Sequence, residues 1–127
     1  MLVDTDVIIW YIKRDPMAID LLDNHKGFKI SCVTYIELIQ NSRNKIEMHK
    51  IHQALKFWKC ETLYLDEKIS MLASMNVEKY CLSHAHELGD ALIAATAIVH
   101  HLDFYSGNVK HFSFLKDLKL KRFCPNN

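Results

Sequence analysis

Residues 2–9 read Leu2-Val3-Asp4-Thr5-Asp6-Val7-Ile8-Ile9, and this stretch decides the fold class. Its two leading apolar residues predict a short buried strand, and the residues from Val7 to Lys13 follow helical spacing. The polar triplet Asp4-Thr5-Asp6 therefore lies where a strand ends and a helix begins. A strand followed directly by a helix indicates an α/β fold, in which helices cover a parallel sheet.

Three other segments place polar residues at the same kind of position. They are Thr34-Tyr35-Ile36-Glu37, Gly89-Asp90-Ala91-Leu92-Ile93-Ala94-Ala95 and Ser106-Gly107-Asn108. Each falls where a strand should end or a helix should begin. In a parallel sheet the carboxyl ends of the strands line the crevice where ligands bind, so all four segments would meet there. The leading hypothesis is a cluster of carboxylates at one edge of the sheet.

The remaining apolar periodicity predicts five strands separated by helices. We expect strands near residues 1–4, 28–32, 61–65, 102–105 and 118–123. We expect helices near residues 7–13, 16–24, 44–59, 66–80 and 87–101, another that starts at Thr34, and a short helical turn before the last strand. Asp15 and Asp66 are the expected N-caps, and the apolar helix from Glu87 should be buried at its start. Right-handed crossovers then imply a parallel sheet covered on both faces, in one domain spanning residues 1–127.

Composition excludes several functional classes. The chain has 127 residues, 50% of them hydrophobic, and a formal net charge of +1, so a nucleic acid must be bound by a local patch. No apolar run reaches the roughly 18 residues of a membrane helix, and the N-terminus lacks a signal-peptide pattern, which predicts a cytoplasmic protein without a membrane partner. The cysteines are scattered, so we expect reduced, mostly buried thiols at Cys32, Cys60, Cys81 and Cys124.

Each acidic motif also has a purely structural explanation. Thr34-x-x-Glu37 matches a capping box, in which the threonine accepts from a backbone amide and the glutamate reaches back to the helix start. Asp90 in a first helical turn is stabilised by the helix dipole by about 0.3–1 kcal/mol. Asp4-Thr5-Asp6 can cap the first helix in the same way. The common placement of the three motifs favours one shared site over three independent caps.

A cluster of carboxylates requires a compensating charge. Two carboxylates about 4 Å apart repel by about 4 kcal/mol at an effective dielectric constant of 20. They must share protons or bind a cation, and oxygen ligands favour Mg²⁺ or Mn²⁺ over zinc. The matching chemistry is metal-assisted hydrolysis of a phosphodiester, in which the metal activates a water and neutralises charge on the phosphate oxygens.

These segments together carry a family resemblance. The chain resembles a PIN domain, and most closely the ribonuclease toxins of the virulence-associated protein C (VapC) type from toxin–antitoxin pairs. The resemblance runs through Leu2 to Ile9, Ile30 to Leu38, Asp90 to Ala97 and Ser106 to Phe112. It implies a three-layer α/β/α sandwich with a central, mainly parallel sheet of four to five strands. It also implies Mg²⁺- or Mn²⁺-dependent cleavage of RNA, a homodimer, and an antitoxin that silences the enzyme.

The resemblance assigns roles to individual positions. Asp4, Glu37 and Asp90 match the three metal-binding acids of the family. Thr5 and Ser106 match its hydroxyl positions, which orient the first carboxylate.

Four other positions complete the candidate site. Asn108 occupies the position where many relatives carry a fourth acid. Its amide oxygen can ligate a cation but brings no negative charge, which weakens the expectation of a second metal. Asp6 is often asparagine in the family and is expected here to cap a helix. Lys110 and His111 follow the last motif and are candidate RNA contacts.

Other patterns have a functional and a structural interpretation. His84-Ala85-His86 and His49-x-x-His52 suggest zinc, but neither pair has cysteine partners or a His-Glu-x-x-His pattern, so surface histidines explain them better. A basic C-terminal segment is either a surface that steers RNA or a solvated face; it comprises Lys110, Lys116, Lys119, Lys121 and Arg122, with Phe112 and Phe114 nearby. An apolar set either lines a groove for a dimer partner or an antitoxin, or belongs to the core, which its helical spacing favours. It comprises Phe57, Trp58, Met71, Leu72 and Met75.

Two functional hypotheses from different classes follow. The first is an active metal-dependent endoribonuclease that uses Asp4, Glu37 and Asp90 with help from Asn108. The alternative is a catalytically weak or inactive module of the same fold that binds RNA or protein, as the amide at Asn108 suggests. A phosphatase similar to the haloacid dehalogenases shares the Asp4-x-Asp6 pattern, but the threonine and lysine expected there are missing.

Overall fold

A five-stranded parallel sheet organises the chain in a computed structural model, which describes residues 1–126. The strands are β1 (Leu2–Val3), β2 (Lys29–Ser31), β3 (Glu61–Leu63), β4 (Asp103–Ser106) and β5 (Lys119–Arg122). The helices are α1 (Thr5–Ile12), α2 (Pro16–Asp23), α3 (Cys32–Gln40), α4 (Lys45–Phe57), α5 (Glu67–His84), α6 (Leu88–Val99) and α7 (Val109–Phe112). All five expected strands and the expected helices are confirmed, with shifts of a few residues at their ends.

The strand order places the first strand at the centre of the sheet. The order is β3-β2-β1-β4-β5, and every neighbouring pair is parallel. Leu2 pairs with Lys29 on one side and with Phe104 on the other. The carboxyl ends of β1 and β4 are therefore neighbours, although about 100 residues separate them in the chain, as loop closure across long segments allows.

The helix starts follow local capping chemistry where the sequence is explicit. Asp15 caps α2 by accepting a hydrogen bond from the backbone N–H of Ala18, and Pro16 occupies the first helical position. Asp66 caps α5 in the same way through the N–H of Ile69. Both expected caps are confirmed.

Two helix boundaries shift by a few residues, and the expected burial of one helix start was wrong. Helix α3 begins at Cys32 rather than Thr34, because Ser31 is its N-cap and accepts from the N–H of Val33. Helix α5 continues past Tyr80 to His84 and ends at Ala85, which adopts the left-handed conformation with φ of 51°. The start of α6 is not buried, since Leu88 is 75% exposed.

Apolar side chains fill both faces of the sheet. Val3 and Ile30 belong to one buried cluster, which includes Trp58, whereas Leu2 belongs to another, which includes Phe104. Successive residues of a strand point to opposite faces, so these clusters lie on the two sides of the sheet. The three-layer α/β/α arrangement is therefore confirmed.

The thiols differ from expectation in burial. All four cysteines are free, but Cys81 and Cys124 are exposed and the other two are half-buried. No helix in the part of the chain that the structure describes is both long and apolar enough to cross a membrane.

Candidate active site

Asp4 lies directly after β1 and is fixed by two neighbours. Its Oδ1 accepts a hydrogen bond from the backbone N–H of Thr5 at 2.8 Å, which makes Asp4 the N-cap of α1. Its Oδ2 accepts from Ser106 Oγ, at the end of β4, at 2.7 Å. The backbone N–H of Asn108 in turn donates to Ser106 Oγ at 3.0 Å. The pairing of β1 with β4 therefore sets the orientation of this carboxylate.

The environment of Asp4 disfavours its negative charge. Asp4 is only 4% exposed. Burial, together with the nearby carboxylates of Asp6 and Asp90, raises the pKa of Asp4 to about 7, despite the hydrogen bonds from Ser106 and Thr5. The site therefore concentrates negative charge in a desolvated position, which is the condition under which carboxylates take up a proton or a cation.

Glu37 is brought to the same place by a second set of contacts. Thr5 Oγ1 lies 2.6 Å from Glu37 Oε1 and 3.0 Å from Thr34 Oγ1. A carboxylate only accepts, so the single hydroxyl proton of Thr5 is donated to Glu37, and Thr34 donates to Thr5. Thr34 and Glu37 thus do not form a capping box but connect α3 to α1. The hydroxyl of Thr5 orients Glu37 rather than Asp4, which contacts the backbone N–H of Thr5 instead.

Asp6 was expected to cap a helix, but Asp4 is the N-cap of α1, and Asp6 instead joins the first and last motifs. Its Oδ2 accepts from the backbone N–H of Gly107 at 2.9 Å. The other oxygen, Oδ1, is buried and has no hydrogen-bond partner among the described residues. Burial raises the pKa of Asp6, and the N–H of Gly107 opposes this shift. This contact could not be predicted from the sequence pattern, in which its only trace is the glycine between Ser106 and Asn108.

Gly107 is required by the closeness of this contact. A Cβ at position 107 would lie 2.8 Å from Asp6 Oδ2 and 3.2 Å from the backbone oxygen of Phe123. Both distances are shorter than ordinary van der Waals contact, so a side chain would separate the segments that Asp6 holds together.

Asp90 lies in the first turn of α6 and faces a histidine. Its Oδ2 is 3.1 Å from His111 Nδ1, on α7, and the side chains are 32% and 60% exposed, respectively. Burial raises the pKa of Asp90, and His111 opposes this shift. Asp90 also contributes to the raised pKa of Asp4, and a Cβ on Gly89 would lie 3.9 Å from Glu37 Oε2. The N-terminus of α6 therefore borders the carboxylates of Asp4 and Glu37.

The remaining candidate residues lie on the exposed rim. Asn108 is exposed and its side chain makes no capping hydrogen bond to α7. Lys110 is exposed on α7, next to His111. These three side chains are accessible to a ligand at the carboxyl edge of the sheet.

The donor set suits a hard divalent cation. Carboxylate and amide oxygens are the preferred ligands of Mg²⁺ and Mn²⁺. The unpartnered Asp6 Oδ1 and the raised pKa of Asp4 both indicate negative charge that the described residues do not compensate. Within residues 1–126, no three acidic, histidine or cysteine side chains are grouped closely enough to hold an ion; Glu37 is hydrogen-bonded to Thr5 and Asp90 to His111.

The other patterns singled out in the sequence lie elsewhere or take another form. His49 and His52 are exposed on α4. His86, expected at the surface, is only 2% exposed. The cations of the basic C-terminal segment are exposed, with Lys119, Lys121 and Arg122 on the edge strand β5.

The apolar set from the sequence analysis divides between core and surface. Trp58 is buried at 1% exposure and belongs to the core. Phe57, Met71 and Met75 are 54%, 58% and 62% exposed, respectively, so the core interpretation was wrong for these three. Leu72 is half-buried against the cluster between α5 and α6.

The chain is similar to known proteins along most of its length. Ribonuclease VapC1 of Methanocaldococcus jannaschii is 33% identical over 125 residues, which cover 95% of this chain and 85% of that protein. The VapBC structure from Salmonella typhimurium bound to DNA matches with a TM-score of 0.80 at 18% identity, and covers 97% of both chains. A toxin–antitoxin complex from Klebsiella pneumoniae matches with a TM-score of 0.77 at 21% identity, and covers 92% of this chain and 93% of that one. At these identities the two structures show the fold alone.

A family model completes the assignment. The model of the PIN domain matches residues 1–112, which contain all four polar motifs. With the 33% identity to a ribonuclease of the VapC type over 95% of the chain, the match is to a family and not only to a fold. The chain therefore belongs to the PIN domain family.

Proposed function

We propose that this chain is a metal-dependent endoribonuclease, the toxin of a toxin–antitoxin pair, and that it acts in the cytoplasm. The observation that carries this proposal is the placement of Asp4, Glu37 and Asp90 at one edge of the sheet, with a pKa of about 7 at Asp4. The relation to Ribonuclease VapC1 supports RNA as the substrate. The oxygen-rich donor set supports Mg²⁺ or Mn²⁺ as the cofactor.

In this proposal the carboxylates hold the ion and their neighbours orient them. Asp4, Glu37 and Asp90 would hold Mg²⁺ or Mn²⁺, with the amide oxygen of Asn108 nearby. Ser106 and the backbone N–H of Thr5 fix the two oxygens of Asp4, and the hydroxyl of Thr5 fixes Glu37. Preorganised side chains avoid the cost of reorganisation during the reaction.

The proposed reaction is direct hydrolysis of an RNA phosphodiester. When bound, the ion supplies positive charge at the phosphate and makes the attacking water more acidic. Lys110 and His111 on α7 contact the phosphate backbone on the exposed side of Asp90. No nucleophilic side chain is needed, so no covalent enzyme intermediate forms.

Cleavage of total cellular RNA by the purified, antitoxin-free chain tests this proposal. We expect discrete fragments with Mg²⁺ or Mn²⁺ and none with EDTA. Asp90→Asn and Glu37→Gln should both abolish cleavage, whereas Asp117→Asn, at an exposed acid outside the site, should not. Full activity of the Asp90 and Glu37 variants would refute the site, and no cleavage by the wild type would refute the enzyme.

A second candidate function is a PIN-fold module that binds RNA without efficient cleavage. Two observations favour it: an amide at Asn108, and the contact of Asp90 with His111 instead of with the other carboxylates. If the wild type binds RNA but does not cleave it, this candidate is correct. Asn108→Asp should then produce or raise metal-dependent cleavage.

We also propose that the antitoxin occupies an apolar groove between α1, α3 and α4. The groove has a volume of about 500 Å³ and is lined by Ile9, Ile12, Leu38, Ile51 and Leu55, among others. Ile9 and Ile12 are 37% and 53% exposed, respectively. An apolar groove between helices suits an amphipathic peptide segment, and the solved toxin–antitoxin complex of this fold supports such a partner.

Disruption of the groove tests the antitoxin proposal. Ile12→Glu should weaken inhibition by the cognate antitoxin, because it places a charge in an apolar contact. Ile46→Glu, at a residue that is 69% exposed and outside the groove, is the matched control. Equal inhibition of both variants would place the antitoxin elsewhere.

Finally, we propose a homodimer through the exposed apolar side of α5. Met71, Met75 and Leu82 are 58%, 62% and 99% exposed on that helix, and Leu88, just beyond it, is 75% exposed. Large exposed apolar side chains that recur on one helix support an interaction surface there. Sedimentation should show a dimer that Met75→Lys dissociates and that Tyr64→Lys leaves intact. A monomeric wild type would refute the dimer.

A further inference from the structure

An aromatic cluster lies beside Asp90 and has no role in the proposed chemistry. It consists of Tyr80 and His84 at the end of α5, His86 in the connection to α6, and Phe114 after α7. Its rings are in contact around Phe114, whose centroid lies 4.9 Å from that of Tyr80 and 5.2 Å from that of His86. The cluster therefore joins the α5–α6 connection to the segment that follows the last motif.

The outer member of the cluster is a solvent-exposed stacked ring. The imidazole of His84 stacks on Phe114 with centroids 4.4 Å apart and planes inclined by 27°. Tyr80 and Phe114 pack against the core, so they hold a fixed base for that ring. His84 is exposed, with Phe114 stacked on one of its faces and Tyr80 in edge contact at a centroid distance of 5.5 Å, so the rest of the ring surface is accessible to a ligand.

The inner member of the cluster is a buried imidazole without a partner. His86 is 2% exposed, and neither ring nitrogen has a hydrogen-bond partner among the described residues. His86 is close enough to both Asp90 and His84 for their charges to affect its pKa. Buried polar groups almost always have a partner, so His86 is an exception among the described residues.

The surrounding charge suits a nucleic acid strand. The ammonium group of Lys79 lies 5.2 Å from the ring centroid of Tyr80, at the edge of the cluster. Lys110 and Lys116 are exposed on either side of Phe114 in sequence. Aromatic rings that stack on bases, with cations for the phosphates, are the usual means of binding single-stranded nucleic acid.

We infer that the exposed ring of His84, supported by Phe114 and Tyr80, is a stacking subsite for an unpaired nucleobase of the RNA that flanks the scissile phosphate. This inference rests on the proposed ribonuclease function and adds to it one base-binding position outside the carboxylate site. A base within a duplex is already stacked and is not free to stack on a side chain.

Binding of two oligomers in EDTA tests the subsite without cleavage. One probe is a fluorescent oligoadenylate of about 12 nucleotides, within the range of single-stranded binding sites, and the other is an abasic ribose-phosphate oligomer of equal length. We expect His84→Ala to weaken binding of oligoadenylate by about 10-fold, as removal of one base stack does, without changing binding of the abasic probe. His84→Phe should retain wild-type affinity, and His49→Ala, at an exposed histidine on α4, should have no effect.

Several outcomes would overturn the inference. They are equal binding of the two probes by the wild type, unchanged binding of oligoadenylate by His84→Ala, and equal losses for both probes. A lowered melting temperature of His84→Ala with unchanged affinity would show a structural role instead. RNA cleavage by the wild type together with any of these results refutes the subsite alone. A base-dependent loss at His84 without RNA cleavage refutes the proposed enzyme alone.

Discussion

Asp4 is a buried carboxylate whose protonation depends on the fold. Its two oxygens are already bonded to Thr5 and Ser106, so additional negative charge from Asp6 and Asp90 has no compensating donor at Asp4. In the absence of metal, its pKa of about 7 means that the folded chain retains a proton at pH values where an unfolded aspartate is ionised.

This difference predicts how stability depends on pH. Between 3.8, the ordinary value, and about 7, the folded state binds a proton that the unfolded state has lost. The contribution of Asp4 to stability is therefore greatest below that range and is lost as the pH rises through it. In EDTA, Asp4→Asn should remove this decline and stabilise the chain at pH 8 by an amount of the order of a few kcal/mol. Denaturant unfolding at several pH values measures this stabilisation, with Asp117→Asn as the control. Parallel curves of unfolding free energy against pH for wild type and Asp4→Asn would contradict the prediction.

Replacement of His86 should stabilise the fold, because its imidazole is buried without a hydrogen-bond partner among the described residues. An unsatisfied buried polar group costs about 1–3 kcal/mol, so His86→Leu should raise the free energy of unfolding by about 1 kcal/mol at neutral pH. Burial lowers the pKa of His86, so the imidazole destabilises the fold further as the pH falls below its ordinary value of 6.5, and the gain should grow there. Chemical denaturation at pH 7 and pH 5 tests both points. A less stable variant would show that a water satisfies His86 in the folded chain.

At the scale of elements, the sequence predicted what local chemistry determines. Asp15, before Pro16, and Asp66 are caps whose hydrogen-bond partners lie three residues further on, so both caps could be predicted from the sequence. Ser31 and Thr34 both suit an N-cap, and the choice between them depends on Thr5, which is distant in sequence and packs on the fully buried Thr34. The contact of Asp6 with Gly107 and the burial of His86 are likewise tertiary properties, which local patterns do not encode.

The connection from β4 to α7 should be sensitive to one methyl group. The added Cβ of Gly107→Ala would push the carboxylate of Asp6 and the backbone of Phe123 away from residue 107. We expect the free energy of unfolding to fall by about 1–3 kcal/mol, which is typical of overpacking. Gly89→Ala is the matched control, because its Cβ would meet neighbours only at 3.9 and 4.0 Å and alanine favours the helix. Gly89→Ala should therefore be neutral or stabilising by up to about 1 kcal/mol. Equal effects of the two substitutions in thermal denaturation would show that the Gly107 contact is not tight.

At the scale of the whole molecule, the site exists only in the folded chain. Asp4 and Ser106 are 102 residues apart, and Asp6 and Gly107 are 101 apart, yet both pairs are hydrogen-bonded. The sequence motifs could name these residues, and the parallel topology could predict that they meet. Which donor serves which carboxylate depends on the order of β1 and β4 in the sheet, and only the three-dimensional structure supplies that.

Because the unfolded chain cannot assemble the carboxylates, a cation that binds them must stabilise the fold. At a free concentration of 100 times its dissociation constant, Mn²⁺ or Mg²⁺ should add about 2.7 kcal/mol, which raises the melting temperature by about 10 °C for a chain of this size. Asp4→Asn should lose most of this shift, whereas Asp117→Asn should keep it. Thermal denaturation with the metal and with EDTA measures the effect independently of RNA cleavage. A wild-type melting temperature that does not respond to either metal would mean that these carboxylates hold protons rather than an ion.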